Sequence, residues 1–123
     1  MLTSTHQKVS AAMTPRPSYT ALSAAIGLEA AWSLLDGRWK LLILFNLFGG
    51  QVRRFSELER AITGISPKML TQQLRDLEAD GLVERIVHDE KPPRVEYAMT
   101  PWGQSLCPAL DALLAWVEHK PQA

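Results

Sequence analysis

The stretch ISPKMLTQQLRDLEADGLVER, residues 65–85, combines an apolar helix face with a markedly polar one. Successive residues of an α-helix turn by about 100°, so Leu70, Leu74 and Leu77 fall on one side. This spacing is how a surface helix packs onto a core. The other side carries Lys68, Thr71, Gln72 and Arg75. Because most surface helices have a polar face that is merely solvated, the meaning of this one depends on its neighbours.

Both ends of this stretch carry helix-boundary signals. Ser66 is a favoured N-cap residue, and Pro67 occupies the first helical position, where a missing N–H does no harm. Gly81 is typical of the residue that follows a helix C-terminus. We therefore predict a helix over residues 66–80.

A shorter helix is predicted immediately before it. Ser56 and Glu59 have the spacing of a capping box, which indicates a helix from Ser56 to about Ile62. Only the Thr-Gly-Ile turn of residues 63–65 separates the two helices. Two helices joined by so short a turn form a helix-turn-helix.

Two strands and a final helix are predicted after the helix-turn-helix. Residues 82–89 and 94–100 are predicted strands, and the connection between them, with its two prolines, is too rigid for a two-residue hairpin turn but suits a longer exposed loop. The Thr-Pro pair at 100–101 repeats the cap-plus-proline signal and begins a last helix, which we expect to end near Lys120.

The N-terminal third of the chain completes the predicted architecture. Residues 1–20 mix serine, threonine and proline without a sustained period, so we expect a mobile tail. A helical pattern follows and is clearest over Leu28–Leu35; the next helix, about Trp39–Phe48, is apolar almost all round and predicts burial. Residues 51–55 fit a short strand or extended link. This order of elements predicts a winged helix-turn-helix, a mainly α fold of the α+β class, in one domain over residues 21–120.

Length and composition limit the class of protein. A chain of 123 residues fits one domain. Cys107 is its single cysteine, which excludes a disulfide within the chain. No apolar run approaches the roughly 20 residues of a membrane span, and the first residues lack a signal-peptide pattern. We therefore expect a soluble, cytoplasmic protein.

The sequence carries no pattern typical of catalysis. Its three histidines are scattered and lack the paired spacing of metal ligands. It has no Gly-rich phosphate loop, nucleophile elbow or plausible acid–base pair. We therefore expect no enzymatic activity, no metal and no cofactor.

The charges are segregated although the net charge is zero. Residues 38–75 hold seven basic and two acidic side chains, for a net charge of +5, whereas residues 76–123 hold four basic and nine acidic ones, for −5. Such segregation creates a local positive surface that a phosphate backbone can sense. Arg60 and Arg85 are expected to form local ion pairs instead.

Three segments together resemble the HxlR-type bacterial transcription regulators, which are related to the MarR group. They are LLDGRWKLLILFNLFGG (34–50), RRFSELERAITGISPKMLTQQLRDLEADGLVER (53–85) and PPRVEYAMTPWGQSL (92–106). The similarity covers about residues 28–119. It implies a dimeric winged-helix repressor or activator whose second helix-turn-helix helix enters the DNA major groove. The wing, residues 88–95, is then expected on the backbone or in the minor groove, and the terminal helices are expected to pair two subunits.

In this fold we expect the polar face of the predicted helix over residues 66–80 to bind DNA, because the N-terminal half of the second helix is the part that reaches base edges. Arg75 and Gln72 have donors suited to guanine and adenine, whereas Ser66 and Lys68 suit phosphates. The expected DNA-binding residues are Arg53, Arg54, Ser66, Lys68, Thr71, Gln72, Arg75, Lys91 and Arg94. We expect binding to an inverted-repeat operator.

The last helix is apolar over a broad surface, which predicts a partner beyond its own domain. The expected dimer interface comprises Leu28, Trp32, Leu35, Trp102, Leu106, Leu110, Leu113, Trp116 and Val117. Two alternatives remain open. One is a ligand-responsive regulator with a small-molecule pocket between the dimerisation helices, and the other is a winged-helix protein-interaction module.

The chain departs from the family pattern at one position. Many members carry a redox- or electrophile-sensing cysteine ahead of their Gly-[Lys/Arg]-Trp motif, and the corresponding position here is Ile26. We therefore expect no thiol switch at that place. Cys107 is expected to be a small buried residue of the last helix.

Overall fold

Six helices and three short strands make up residues 18–122, the part of the chain that the computed structural model describes. In chain order they are α1 (Ala21–Leu34), α2 (Arg38–Leu47), β1 (Arg53–Arg54), α3 (Phe55–Ala61), α4 (Pro67–Ala79), β2 (Val83–His88), β3 (Arg94–Met99), α5 (Pro101–Gln104) and α6 (Cys107–Glu118). This order is that of a winged helix-turn-helix and confirms the predicted fold class. The expected tail lies outside the described residues over 1–17.

The first helix begins where a reciprocal cap forms. The Thr20 hydroxyl oxygen accepts from the Ser23 N–H at 3.0 Å, and the Ser23 hydroxyl oxygen accepts from the Thr20 N–H at 2.9 Å. None of the fourteen residues of α1 is buried. The chain divides after Ser33 into two units, and all elements after α1 belong to the second.

The helix-turn-helix is formed by α3 and α4. The Ser66 hydroxyl oxygen accepts from the Met69 N–H at 3.0 Å, and Pro67 opens α4, as the sequence predicts. The turn between the two helices contains Gly64 with a φ of 89°, a left-handed conformation that favours glycine. The turn after α3 and the start of α4 are therefore determined by residues within the turn and the first helical turn.

The cap of α3 differs from the predicted one. The helix begins at Phe55, and the Glu57 carboxylate accepts the Arg54 backbone N–H at 2.7 Å. The predicted capping box of Ser56 and Glu59 was wrong because β1 pairs through Arg54 and fixes the chain direction two residues earlier.

The core lies between α2, α3, α4 and the base of the hairpin. Its buried side chains are Ile43, Leu44, Leu47, Leu58, Ile62, Ile65, Leu70, Leu74, Leu77, Leu82, Val83 and Met99. Burial of α2 is incomplete, contrary to the prediction, because only one side of this helix faces the core. Leu42 and Phe45 on its other side are 37% and 44% exposed.

The sheet has the order β1-β3-β2, with antiparallel pairing throughout. In β2 and β3, Val83 pairs with Met99 and Arg85 with Tyr97. Directly paired residues share a face of the sheet, and alternate residues along a strand share it too. Because Val83 and Met99 are buried, Arg85 and Tyr97 lie on the same face as this core pair.

The predicted last helix is in fact two helices, α5 and α6. Pro108 has no N–H for the i→i−4 bond to Gln104, so the helix is interrupted there. The first piece is held tightly: the Thr100 hydroxyl donates to the Gly81 carbonyl at 2.6 Å and accepts from the Gly103 N–H at 2.9 Å. In α6 only Leu110 is buried.

Candidate nucleic-acid interface

Helix α4 presents the polar set predicted from the sequence. Leu70, Leu74 and Leu77 are buried, while Lys68, Gln72 and Arg75 are exposed. Thr71 is half-buried beside them. The exposed lysine and arginine make no ion pair with any residue in 18–122, so their charges remain available to a partner. Ser66 is also exposed at the start of the helix.

Hydrogen bonds within α4 orient both of its glutamines. Gln72 Nε2 donates to Asp76 Oδ1 at 3.0 Å, and Gln73 Nε2 donates to Met69 Sδ at 3.3 Å. An i,i+4 pair of this kind holds the side chain along the helix surface. The amide of Gln72 is therefore oriented before any partner binds.

The two adjacent arginines of β1 have different surroundings. Arg53 Nε donates to the carbonyl of Asn46 at 3.0 Å, and Arg53 Nη2 lies 3.4 Å from Gln51 Oε1. Because neighbouring residues of a strand point to opposite faces, Arg54 is exposed instead. Arg53 thus holds the end of α2 and is half-buried, whereas Arg54 is exposed.

The wing brings three of the predicted cations to one groove. A groove of about 530 Å³ between the start of α3 and the wing is lined by Arg54, Phe55, Ser56, Glu90, Lys91, Pro92, Pro93, Arg94 and Val95. Glu90 pairs with Arg94 at 3.1 Å, whereas Lys91 is exposed. Arg94 Nε is buried and has no hydrogen-bond partner among residues 18–122. The groove therefore keeps a positive surface formed by Arg54, Lys91 and Arg94.

A second groove, of about 370 Å³, separates α4 from the hairpin. Its lining residues are Thr71, Leu74, Arg75, Glu78, Arg85 and Tyr97. Neither Arg85 nor Arg60 forms an ion pair within 18–122, so their predicted structural role was wrong. Arg85 and Tyr97 were missed as candidate site residues. The sequence contained one signal for Arg85. It lies between Val83 and Val87, on the strand face that the alternation of apolar residues assigns to the interior, where an arginine is unexpected.

The apolar residues predicted for a dimer interface divide into two groups. Leu35 and Leu106 pack against the chain's own core, and Leu110 is buried. The remaining members are exposed: Leu28, Trp32, Trp102, Leu113, Trp116 and Val117. Helix α6 extends beyond the core. The apolar side chains in its second half are therefore not covered by other residues of the second unit. Leu114, 52% exposed, belongs to this surface and was missed.

Cys107 is half-buried rather than buried. Desolvation raises the pKa of its thiol, and the Asp111 carboxylate raises it further by repulsion and by a 3.9 Å contact. Its thiolate is therefore disfavoured at neutral pH.

Other site types are not formed in the part of the chain that the structure describes. No cluster of three His, Cys, Asp or Glu side chains there is suitable for a metal ion. No helix of residues 18–122 has the length and apolarity to span a bilayer.

Comparison with known proteins gives a consistent picture. Residues 34–123 match the model of the HxlR-like helix-turn-helix family. The chain is 50% identical over 91 residues to the uncharacterised HTH-type transcriptional regulator YtcD of Bacillus subtilis, covering 74% of this chain and 71% of YtcD.

Two solved structures extend the similarity to the fold. A MarR-family transcriptional regulator from Enterococcus faecalis V583 superposes with a TM-score of 0.74 at 40% identity, covering 85% of this chain and 92% of that one. The reduced form of the regulator YodB from B. subtilis superposes with a TM-score of 0.71 at 36% identity, covering 79% and 96%.

Proposed function

The chain belongs to the HxlR-like helix-turn-helix family and is a DNA-binding transcriptional regulator, not an enzyme; we propose that it binds an inverted-repeat operator as a homodimer. In this proposal α4 enters the major groove and the wing lies on the backbone or in the minor groove. The observation that carries it is the two-sided character of α4. Three buried leucines fix the helix in the core, and its opposite face presents Lys68, Gln72 and Arg75.

The proposal separates base reading from positioning. Arg75 and Gln72 carry donors that match guanine and adenine edges in the major groove. Ser66, Lys68 and Thr71 lie near them on α4 and are assigned to phosphates or adjacent bases. Arg54, Lys91 and Arg94 line the wing groove and supply charge that is independent of sequence. Arg53 acts indirectly, because its guanidinium is hydrogen-bonded to Asn46.

Homodimerisation is supported by uncovered apolar surface at α5 and α6. Trp102, Leu114, Trp116 and Val117 are each more than half exposed. Exposed apolar surface of this extent marks an interaction site in a soluble protein. A two-fold pair of such surfaces buries the same residues from both subunits.

A ligand-responsive regulator is the second candidate. An apolar groove of about 400 Å³ is lined by Trp116, Val117, His119, Lys120 and Pro121 at the end of α6. Its size falls in the range of small-molecule sites. An effector bound there would act through the proposed dimer interface.

Selection of binding sites from random duplex DNA, followed by footprinting, tests the main proposal. We expect an inverted repeat with half-site centres separated by about one helical turn or a multiple of it. Sedimentation under the same conditions should give a dimer at micromolar concentration. A monomer that binds a single half-site tightly would contradict the proposal.

A further inference from the structure

The groove between α4 and the hairpin, which we call the helix–hairpin groove, is an unassigned site beside the proposed DNA surface. Helix α4 contributes Thr71, Leu74, Arg75 and Glu78, and the hairpin contributes Arg85 and Tyr97. Two arginines and one glutamate leave it with a net charge of +1. The groove therefore favours an anion.

The strand register explains why Arg85 faces this groove. Arg85 pairs directly with Tyr97, one step along the same face from the buried Val83–Met99 pair. Two residues further towards the wing, Val87 pairs with Val95. The hairpin face that carries the core pair thus becomes basic at Arg85 and apolar again at Val87, and both of these residues are exposed. Arg85 is exposed where it lines the groove, so its charge is accessible to a partner from outside the chain.

The donors in the helix–hairpin groove have no partners within the described chain. Arg85 and Arg75 form no ion pair with residues 18–122, and the Tyr97 hydroxyl makes no hydrogen bond to them. Burial raises the pKa of Tyr97, with Glu78 adding to the shift and Arg85 and Arg75 opposing it. The hydroxyl is therefore protonated at neutral pH and can donate to an anionic oxygen.

The location of the groove identifies the anion, given the proposed function. If α4 lies in the major groove and the wing lies in the adjacent minor groove, one sugar–phosphate strand separates them. This strand would then run over the outer opening between α4 and the hairpin, where the helix–hairpin groove lies. We propose that the groove binds a phosphate of this strand, with the Arg85 guanidinium and the Tyr97 hydroxyl as its donors.

The proposed contact has a defined chemistry. A guanidinium donates two parallel N–H bonds to phosphate oxygens, so Arg85 supplies both charge and orientation. The phenol adds one neutral hydrogen bond. Such a contact sets the angle between α4 and the wing on the duplex without reading sequence. Arg85 and Tyr97 are therefore positioning residues of the DNA complex.

Operator binding at several salt concentrations tests this inference. Fluorescence anisotropy would compare the parent with Arg85→Gln between about 50 and 200 mM salt. We expect the Arg85→Gln slope of log affinity against log salt to fall by about one, with unchanged base preference. Arg85→Lys should keep the slope, because it keeps the charge. Tyr97→Phe should weaken binding by roughly threefold without a change in slope, since it removes one neutral hydrogen bond and no charge.

Arg38→Gln is the matched control, because it removes the same charge from an exposed arginine at the start of α2 that lines neither the wing groove nor the helix–hairpin groove. It should leave the slope unchanged. Arg85 is exposed, so the variant is expected to fold, and equal melting temperatures would verify this.

The outcomes distinguish this inference from the proposed function. A parent protein without sequence-specific DNA binding would overturn the proposed function itself. A parent that binds its operator, with an Arg85→Gln variant of equal slope, would overturn the helix–hairpin contact alone. Stabilisation of the free parent by millimolar sulfate, lost in Arg85→Gln while the operator slope stays unchanged, would replace it with a site for a free anion.

Discussion

Gln72 Nε2 donates a hydrogen bond of 3.0 Å to Asp76 Oδ1, one turn further along α4. Gln72 is exposed and Asp76 is half-buried, so the carboxylate forms the fixed end of the pair. The bond uses one amide N–H of Gln72 and leaves its second N–H and its carbonyl oxygen. An adenine edge needs one donor and one acceptor from the protein. Asp76 therefore orients the amide for the role proposed for Gln72.

The first prediction concerns this pair. Gln72→Ala should cost about 1–3 kcal/mol on the operator and flatten base preference at one position per half-site. Asp76→Ala should lose part of the same preference, because the amide is then free to rotate. Its affinity for non-specific DNA should not fall, since removing a carboxylate reduces repulsion from phosphates. Competition between operator variants measures both effects.

A double variant supplies the control. If Asp76 acts only through Gln72, Gln72→Ala combined with Asp76→Ala should show no further loss of preference than Gln72→Ala alone. Full discrimination by Asp76→Ala would contradict the orienting role.

The second prediction concerns the proposed dimer. Trp116 is 74% exposed on α6. Trp116→Ala should raise the dimer dissociation constant by roughly tenfold or more, because buried tryptophans contribute strongly to interfaces. Sedimentation across a concentration series measures it. Val87→Ala is the control, since Val87 is also apolar and exposed but lies on β2. If the parent and Trp116→Ala formed dimers of equal stability, Trp116 would be excluded from the interface.

The third prediction concerns the close approach of α5 to the hairpin base. A Cβ at Gly103 would overlap the Leu82 carbonyl oxygen and lie 2.9 Å from Met99 Cε. Gly103→Ala should therefore lower the free energy of unfolding by about 1–3 kcal/mol. Urea unfolding, followed by tryptophan fluorescence and by circular dichroism, measures this loss.

Gly27 provides the contrasting variant. It lies within α1, and a Cβ there would have open space within 4 Å. Gly27→Ala should be neutral or should stabilise the helix by up to about 1 kcal/mol. Equal effects of the two substitutions would show that the packing at Gly103 does not limit side-chain size.

The fourth prediction concerns the single thiol. Because desolvation and Asp111 raise the pKa of Cys107, alkylation by iodoacetamide should reach half its maximal rate at a higher pH than for a small free thiol. Asp111→Asn should move this pH downward by removing the repulsion.

Operator affinity should be nearly indifferent to diamide, since Ile26 occupies the place of the family's sensing cysteine. Loss of binding that dithiothreitol reverses, and that Cys107→Ser lacks, would make Cys107 a sensor.

The sequence was most informative where local chemistry alone determines structure. Ser66, Pro67 and Gly81 act within one helical turn of α4, and its leucine spacing depends on helix geometry only. The boundaries of this helix and its outward face were therefore predictable.

The sequence predictions were wrong or incomplete where contacts between distant segments determine the structure. The start of α3 depends on the pairing of Arg54 with Glu96, which lies in a strand 42 positions later by residue number. The inward orientation of Arg53 depends on the carbonyl of Asn46 at the end of α2. The Arg85–Tyr97 pair follows from hairpin register, which the proline-containing loop leaves undetermined in the sequence. Predicting the helix–hairpin groove required these contacts.

The interruption between α5 and α6 has a consequence for spacing on DNA. Gly103 is buried, and Gln104 is tied to the end of α2 and the following turn. Its Nε2 donates to the Leu47 carbonyl at 3.4 Å, and its Oε1 accepts from the Gly49 N–H at 3.2 Å. By contrast, most of α6 is not covered by other residues of the second unit. In the proposed dimer, Ser105 and Leu106 connect the fixed α5 to the dimerising α6. The conformation of this connection therefore sets the distance and the rotation between the two α4 helices on the duplex. Substitutions at Ser105 and Leu106 would then alter the operator spacing while leaving α4 unchanged.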